Sequence, residues 1–179
     1  MKKINLFINE SITYCPHSKR ELEKLVLKLI KERGLNANLN DIDTSNIKSM
    51  SYLFSKYDDQ NKQRNEYFWK FNGDISNWDV SNVKNMEDMF RASEFDGDIS
   101  KWNVSKVEYM TGMFAYSKFD NDISKWDVKN VKVMLHMFTG SKFNKNIDNW
   151  EVNEMTNIQG IFDESPNLLK HKPKWYKNN

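Results

Sequence analysis

A 24-residue repeat dominates the sequence and limits the folds open to it. Its clearest marker is a phenylalanine that recurs without gaps, at Phe71, Phe95, Phe119 and Phe143. An isoleucine, a tryptophan and a valine follow each of them at constant spacing, and in the first of these copies they are Ile75, Trp78 and Val80. One unit of this length cannot bury its own apolar side chains, so neighbouring copies must stack. The repeat therefore predicts a solenoid.

A degenerate copy with an insertion precedes these four. In this copy, residues 35–70, Ile42 stands where the others have tryptophan. The copy is 36 residues long, so it holds 12 extra residues, which lie in the polar run 55–70. Insertions in stacked repeats become loops on one face. The run is therefore a candidate binding segment, and its aromatic residues are Tyr67, Phe68 and Trp69.

Within each unit the apolar spacing predicts a strand followed by a short helix. Ile75-x-x-Trp78-x-Val80 matches the strand spacing of leucine-rich repeats, L-x-x-L-x-L. Residues 83–90 place apolar side chains at steps of three and four, which is typical of a helix or a 3₁₀ segment. We therefore predict an α/β solenoid, a leucine-rich-repeat-like stack of about five repeats with a parallel sheet on one face.

The two ends of the chain have the character of caps. Ile4, Leu6 and Ile8 alternate as in a strand, and a helix pattern follows that begins at a capping box and ends at Gly34. The predicted domains are 1–34, an N-terminal strand-helix cap, 35–163, the repeat solenoid, and 164–179, a short, basic C-terminal cap or tail. The predicted repeat copies are 35–70, 71–94, 95–118, 119–142 and 143–163.

Cysteine usage and the lack of a secretory signal pattern predict a cytoplasmic protein. The net charge is +2, but residues 35–163 contain 15 basic and 20 acidic side chains and are therefore acidic, between two basic ends. Cys15 is the single cysteine, which excludes an intrachain disulfide and favours a reducing compartment. The sequence shows neither a secretory apolar stretch near its start nor a window of ~20 apolar residues that would span a membrane. The cell surface is accordingly disfavoured.

Residues 71–90 resemble the BspA-type leucine-rich repeat in its mycoplasma lipoprotein-associated form, F-N-x-D-I-S-x-W-D-V-S-N-V-x-x-M-x-x-M-F. The resemblance extends over residues 35–162, and the segment that starts at Tyr14 resembles a module that often precedes such repeats. It implies a leucine-rich-repeat-like fold in bacterial and some viral proteins, with binding or adhesion roles and no known catalytic residues.

The position between tryptophan and valine is the candidate partner-binding site. Strand alternation would turn this position outward. We call its five residues the acidic column; they are Asp43, Asp79, Asn103, Asp127 and Glu151. Stacked carboxylates repel one another, so the column either binds a basic protein surface or forms a solvated ladder relieved by Asn103, Lys101 and Lys125. A metal is disfavoured, because a ladder does not converge on one ion.

Two other repeated positions have structural interpretations. The four tryptophans predict a packing column in which each indole N–H needs a partner. Asp74, Asp98 and Asp122 directly follow predicted turns, so we expect their carboxylates to accept hydrogen bonds from backbone amides.

The sequence favours a non-catalytic protein–protein interaction module. Its three histidines lie in different modules, and neither a nucleophile with a base nearby in sequence, a phosphate loop nor metal-ligand spacing occurs. We therefore predict no enzyme activity, metal or cofactor, a monomer, and a protein partner with a basic surface, with nucleic acid disfavoured. The alternatives are a nucleic-acid-mimicking inhibitor from a phage or mobile element, and a surface adhesion protein.

Overall fold

The computed structural model describes residues 14–170 and 172–176. This part of the chain contains three helices, α1 (Lys19–Arg33), α2 (Glu66–Trp69) and α3 (Pro166–Lys170). The remainder of it consists of turns, extended segments and isolated β-bridges. The N-terminal strand predicted from Ile4, Leu6 and Ile8 lies outside the described residues.

The prediction of an α/β solenoid with a parallel sheet on one face is wrong. Residues 14–170 and 172–176 contain no sheet, and consecutive copies meet in isolated parallel bridges instead. The bridges along the repeats join Ser49 to Asn85, Asn85 to Tyr109, Tyr109 to Val133 and Val133 to Asn157. They lie in the segment predicted as a helix, whereas residues 75–80, predicted as a strand, form turns. The copies do stack, but they stack as turns.

Local hydrogen bonds replace the predicted strand. The backbone amide of Trp78 donates to the carbonyl of Ile75 across 3.1 Å, which closes a turn. Immediately afterwards, Oδ1 of Asp79 accepts the amide N–H of Ser81 across 2.9 Å. Amides bound inside such turns are not available to a neighbouring strand. The spacing shared with leucine-rich repeats therefore selects the buried side chains correctly while the backbone follows a different path.

Hydrogen bonds between copies replace the predicted helix. Alternate amides of the second copy donate to carbonyls of the third across 2.8–2.9 Å; the donors are Met86, Asp88, Phe90 and Ala92. An α-helix would need those amides for carbonyls four residues earlier in the chain. Asp88 and Ala92 also adopt left-handed backbone angles, with φ of 49° and 53°, which an α-helix does not contain.

Two columns of phenylalanine fill the centre of the stack. One column has ring centroids 5.6–6.2 Å apart and comprises Phe54, Phe90, Phe114, Phe138 and Phe162. The other has centroids 6.2–6.4 Å apart and comprises Phe71, Phe95, Phe119 and Phe143. All nine rings are buried, and burial of one such side chain contributes about 1.5–3 kcal/mol. Contacts between copies therefore supply much of the apolar stabilisation.

The tryptophans form the predicted packing column, and each indole has a partner. The indole N–H of Trp102 donates to the carbonyl of Ile75 in the preceding copy across 3.2 Å. Equivalent bonds of 2.9–3.2 Å join Trp78 to Leu39, Trp126 to Ile99 and Trp150 to Ile123. Each tryptophan thus satisfies a buried carbonyl that its own copy does not provide.

Helix α1 covers the first copy. Ser18 accepts the amide of Glu21 at the start of the helix, and Gly34, with φ of 95°, ends it by donating to the carbonyl of Ile30. The apolar face of the helix is buried in the same core as the repeats; its buried residues are Leu22, Val26, Leu29 and Ile30. Just before the helix, Tyr14 pairs with Ile42 of the first copy in a parallel bridge.

The C-terminal segment covers the fifth copy in the manner of another repeat. The indole N–H of Trp175 donates to the carbonyl of Ile147 across 2.8 Å, which is the bond that a further repeat tryptophan would make. Its ring stacks on Trp150 with centroids 6.3 Å apart and an angle of 12° between the planes. Leu168 of α3 is buried beside the last turns.

Bulky side chains and glycines alternate at one left-handed position of the repeat. Asp88, Gly112, His136 and Gly160 occupy it in successive copies, with φ between 49° and 64°. The carboxylate of Asp88 lies over Gly112 so closely that a Cβ atom there would collide with its Oδ1. The left-handed backbone and the close approach together explain the glycine. The buried carboxylate is paired with Arg91, whose Nη1 is 3.4 Å from Oδ2.

Replacing Trp102 by phenylalanine should lower the free energy of unfolding by at least about 1 kcal/mol more than the same change at Trp69. Trp102→Phe leaves the buried carbonyl of Ile75 without a donor, whereas the buried indole N–H of Trp69 has no hydrogen-bond partner to lose among the described residues. Urea unfolding of both variants measures the difference. Equal losses would show that the indole hydrogen bonds do not contribute to stability.

The stability contribution of Asp88 should decrease as the pH rises. Burial raises the pKa of Asp88 to about 6, against the opposing effect of Arg91. Because this pKa lies above the ordinary value of 3.8, the contribution is complete below that value and is lost as the pH passes about 6. Relative to the native chain, Asp88→Asn should therefore gain stability between about pH 4 and about pH 7.5.

Asp98→Asn provides a control of opposite sign for the Asp88 experiment. Hydrogen bonds from the hydroxyl and the amide of Ser100 lower the pKa of Asp98. Its ionised form therefore stabilises the fold, and this contribution is lost as the pH falls through the lowered pKa. Relative to the native chain, Asp98→Asn should lose stability from acid towards neutral pH, and parallel trends for the two variants would contradict both assignments.

Candidate functional site

The acidic column lies at the surface of the stack. Asp79, Asn103, Asp127 and Glu151 are exposed, and Asp43 is half-buried. One of them occurs in each copy, and successive copies lie about 4.8 Å apart where they form bridges, which is at Asn85, Tyr109 and Val133 and not at the column itself. Turn geometry, rather than the predicted strand alternation, directs these side chains outward.

Four residues of the column also hold the turns that present them. The Oδ1 atoms of Asp43, Asp79, Asn103 and Asp127 each accept the backbone amide two residues later, across 2.9–3.3 Å. The second carboxylate oxygen has no hydrogen-bond partner in Asp79 or Asp127 among the described residues, while in Asp43 it accepts from the thiol of Cys15. Each of these aspartates is thus fixed at one oxygen, and Asp79 and Asp127 present the other to solvent.

Lysines surround the last part of the column. Lys125, Lys129, Asp127 and Glu151 line a shallow depression of about 450 Å³. Lys129 forms an ion pair with Glu151 across 3.2 Å. Lys129 was not predicted, because the lysines expected to relieve the column precede its residues by two positions, whereas Lys129 follows Asp127 by two. Lys101 and Lys125, expected to relieve the carboxylates, are exposed and form no ion pair with any described residue. Both therefore remain available to a partner.

A family model described as "Mycoplasma protein of unknown function, DUF285" matches residues 23–91 and 62–175. The two matches overlap and together cover all five copies and most of α1. The chain belongs to the DUF285 family. No curated protein and no solved structure matches it. The match establishes a repeat protein of a mycoplasma family and does not confirm the resemblance to BspA-type repeats.

A second aspartate position in this DUF285 protein has the structural role expected from its sequence. Asp74, Asp98 and Asp122 each accept the amide of the serine two residues later, across 2.8–2.9 Å. The amide and the hydroxyl of Ser124 lower the pKa of Asp122 by this hydrogen bonding. This position offers a matched control for the acidic column, because both positions combine an exposed carboxylate with the same type of turn.

Phe68 and Tyr67 attach the insertion to the core, whereas the cation contacts of Phe68 and Trp69 lie within the insertion itself. Phe68 is 7% exposed and lies 4.3 Å beneath the guanidinium of Arg64. Tyr67 is half-buried under Lys31 of α1, and the ring of Trp69 lies 5.0 Å from the ammonium of Lys56. Within the described chain, no hydrogen bond, ion pair or ring contact links these three aromatic residues to the acidic column. The two predicted groups therefore do not form one site.

A charged cavity of about 300 Å³ lies where α1, the first copy and the insertion meet. Its side chains are Lys19, Glu23, Ser51, Tyr52, Asp58, Asp59 and Arg64. Arg64 pairs with Glu23 across 3.0 Å, and Lys19 donates to the Ser51 hydroxyl across 2.9 Å. This cavity was not predictable from the sequence, because residues far apart in the chain form it. Its two cationic side chains, Lys19 and Arg64, already have partners, which favours a structural role for this cavity.

The described residues place limits on metals and membranes. Residues 14–170 and 172–176 contain no cluster of three or more histidine, cysteine, aspartate or glutamate side chains that could hold a metal ion. None of the helices in this part of the chain has both the length and the apolar character needed to cross a bilayer.

Asp79→Ala should destabilise the protein by about 1 kcal/mol, whereas Asp79→Asn should be close to neutral. Alanine cannot accept the Ser81 amide, and loss of such a hydrogen bond costs about 0.5–1.5 kcal/mol. Asparagine can accept it, as Asn103 does at the equivalent position. Chemical unfolding of the two variants tests this assignment, which fails if they are equally stable.

Proposed function

We propose that this DUF285 protein is a non-catalytic protein-binding module whose acidic column contacts a partner with a basic surface. The observation that carries the proposal is the pair of outward carboxylates at Asp79 and Asp127, each held at one oxygen by its own turn. A side chain already fixed in position loses little conformational entropy on binding. The column therefore offers charges in a preorganised row.

The depression beside the column extends this surface. Lys125 and the Lys129–Glu151 pair add charges of both signs next to Asp127. Mixed charges of this kind contribute to the choice of partner and to its orientation more than to bare affinity. The partner surface we propose is accordingly basic opposite Asp79 and mixed opposite Glu151.

The resemblance of the repeat to BspA-type leucine-rich repeats supports a binding role, since the roles associated with those repeats are binding and adhesion. The surroundings of two potentially reactive groups support the absence of catalysis. Partial desolvation and the hydrogen bond to Asp43 raise the pKa of the Cys15 thiol, which opposes formation of a thiolate. The Thr139 hydroxyl near His136 donates to the carbonyl of Gly160 and is therefore not poised as a nucleophile.

Affinity purification with the full chain tests the proposal. Asp79→Asn/Asp127→Asn removes two charges and keeps both turns, while Asp74→Asn/Asp98→Asn makes the same changes at the other aspartate position. The first variant should retain about one tenth of the partner bound by the native chain, and the second should retain nearly all of it. Equal retention by the two variants would refute the site.

Competition distinguishes the alternative of nucleic-acid mimicry. If duplex DNA displaces the chain from the captured partner, the column occupies a nucleic-acid groove of that partner. If DNA has no effect, the partner uses an ordinary basic protein surface. Sensitivity to Asp79→Asn/Asp127→Asn is expected in both cases, so this measurement separates the two functions without affecting the site assignment.

A further inference from the structure

One face of the third and fourth copies carries no formal charge. Residues 109–117 and 133–141 lack aspartate, glutamate, lysine and arginine, although charged residues make up 29% of the chain. The two segments lie side by side, because the amides of Met110, Gly112, Phe114 and Tyr116 donate to carbonyls of the following copy. Their outward side chains therefore form one continuous surface.

This surface is apolar and aromatic at its centre. Tyr109 is 41% exposed and Tyr116 is 51% exposed, and the outward side chains of Thr111, Val133 and Leu135 are half-buried beside them. We call these five residues the tyrosine face. The ring of Tyr116 lies over Gly140, so closely that a Cβ atom there would collide with it. Tyrosine is enriched where proteins bind one another, since it combines apolar area with a polar tip.

The carboxylates at the lateral edges of the tyrosine face are paired with lysines. Glu108 pairs with Lys84 and with Lys132, across 3.1 and 2.6 Å. On the other edge, Glu94 pairs with Lys118 across 3.1 Å. Within the described residues, these edges therefore offer no unpaired carboxylate, and the edge at Glu108 keeps an excess of lysines.

The two ends of the face along the stack carry carboxylates without cations. Glu87 is the counterpart of Thr111 in the second copy, and Asp163 and Glu164 follow the face in the fifth. None of the three forms an ion pair with another described residue. Among the described residues of the rim, the cations Lys106 and Lys142 also form no ion pair. The carboxylates of the rim that lack an ion pair therefore lie at its two ends along the stack.

We propose that the tyrosine face binds an extended peptide segment of a partner protein, with a basic residue on each side of a short apolar stretch. Glu87 and Asp163 are three copies apart, about 14 Å along the stack at a strand-like spacing of about 4.8 Å, and Asp163 also lies four residues further along its unit, which adds up to about 13 Å across the stack. The two carboxylates are therefore about 14–20 Å apart, a distance that an extended peptide covers with about four to six residues. Its apolar residues pack on Tyr109 and Leu135, and its cations reach the carboxylates at the ends. This binding does not depend on the acidic column.

Selection of peptides from a displayed library of random sequences of about 12 residues, with the full chain as bait, tests this proposal. The sequences selected should share two basic residues separated by about four to six residues that are mainly apolar or aromatic. A selected peptide is then synthesised with a fluorescent label, and its affinity for variants of the chain is measured by anisotropy.

Tyr109→Ser/Leu135→Ser should weaken this peptide at least about tenfold, and Glu87→Gln/Glu164→Gln about fivefold at low salt. Leu169→Ser is the matched control, because Leu169 is 48% exposed but lies in α3, away from the tyrosine face. Tyr109→Phe should retain most of the affinity. Circular dichroism confirms that each variant is folded before its affinity is compared.

Three results would overturn the proposal. The first is a selection without the basic–apolar–basic pattern. The second is a peptide that binds Tyr109→Ser/Leu135→Ser normally but is weakened by Asp79→Asn/Asp127→Asn, which would assign it to the acidic column. The third is a dimer of the native chain that Tyr109→Ser/Leu135→Ser converts to a monomer, since the face would then bind a second copy.

Discussion

The hydrogen bond from each tryptophan indole to a carbonyl of the preceding copy sets the relation between repeats. Stacked phenylalanine rings are tolerant of small rotations and shifts, because dispersion forces have little directionality. A hydrogen bond from an indole N–H to one buried carbonyl does not tolerate such rotations and shifts, because it depends on distance and angle. The bond in which Trp102 reaches Ile75 therefore fixes the register of two copies. The backbone ladder from Met86 to Ala92 then continues that register at the other side of the unit.

Turns held by aspartate and asparagine explain how this protein stacks without a sheet. Each such side chain accepts a hydrogen bond from an amide of its own copy, as Asp74 does from Ser76. That amide is then not available to donate to a neighbouring copy. The carboxylates are thereby committed to the fold at one oxygen and exposed at the other. The outward charge of the acidic column follows from the requirement for turns, and recognition of a partner would use a feature that the backbone already needs.

The sequence predicted the buried residues of the repeat and the need of each tryptophan for a hydrogen-bond partner, but not the backbone path. Buried apolar residues spaced three and then two positions apart fit a strand and a pair of turns equally well. The aspartates at 74 and 79 distinguish the two, because each consumes an amide that a strand would share. The sequence predicts this role for Asp74, but it leaves open that Asp79 has the same role.

The candidate site was predictable to a similar extent. Exposure of Asp79 and Asp127 follows from their position between two buried residues of the repeat. The pairing of Lys129 with Glu151 and the meeting of Lys19, Tyr52 and Arg64 in one cavity depend on contacts between distant segments. No periodicity encodes such contacts. The tyrosine face was not predictable for a related reason. It is recognised by the absence of charged side chains in two adjacent copies, and not by a residue that repeats.

Trp175 gives the stack a means of setting its own length. It takes the carbonyl of Ile147 and the ring surface of Trp150, which are the two contacts that another copy would require. Because bulky side chains and glycines alternate between copies, a duplication of the two copies at residues 95–142 together would find matching surfaces on both sides and lengthen the array without disturbing either cap. A copy placed after Phe162 would have to displace Trp175 first. The array can therefore grow in its interior while its C-terminal face stays the same, so that repeat number and end structure can evolve independently.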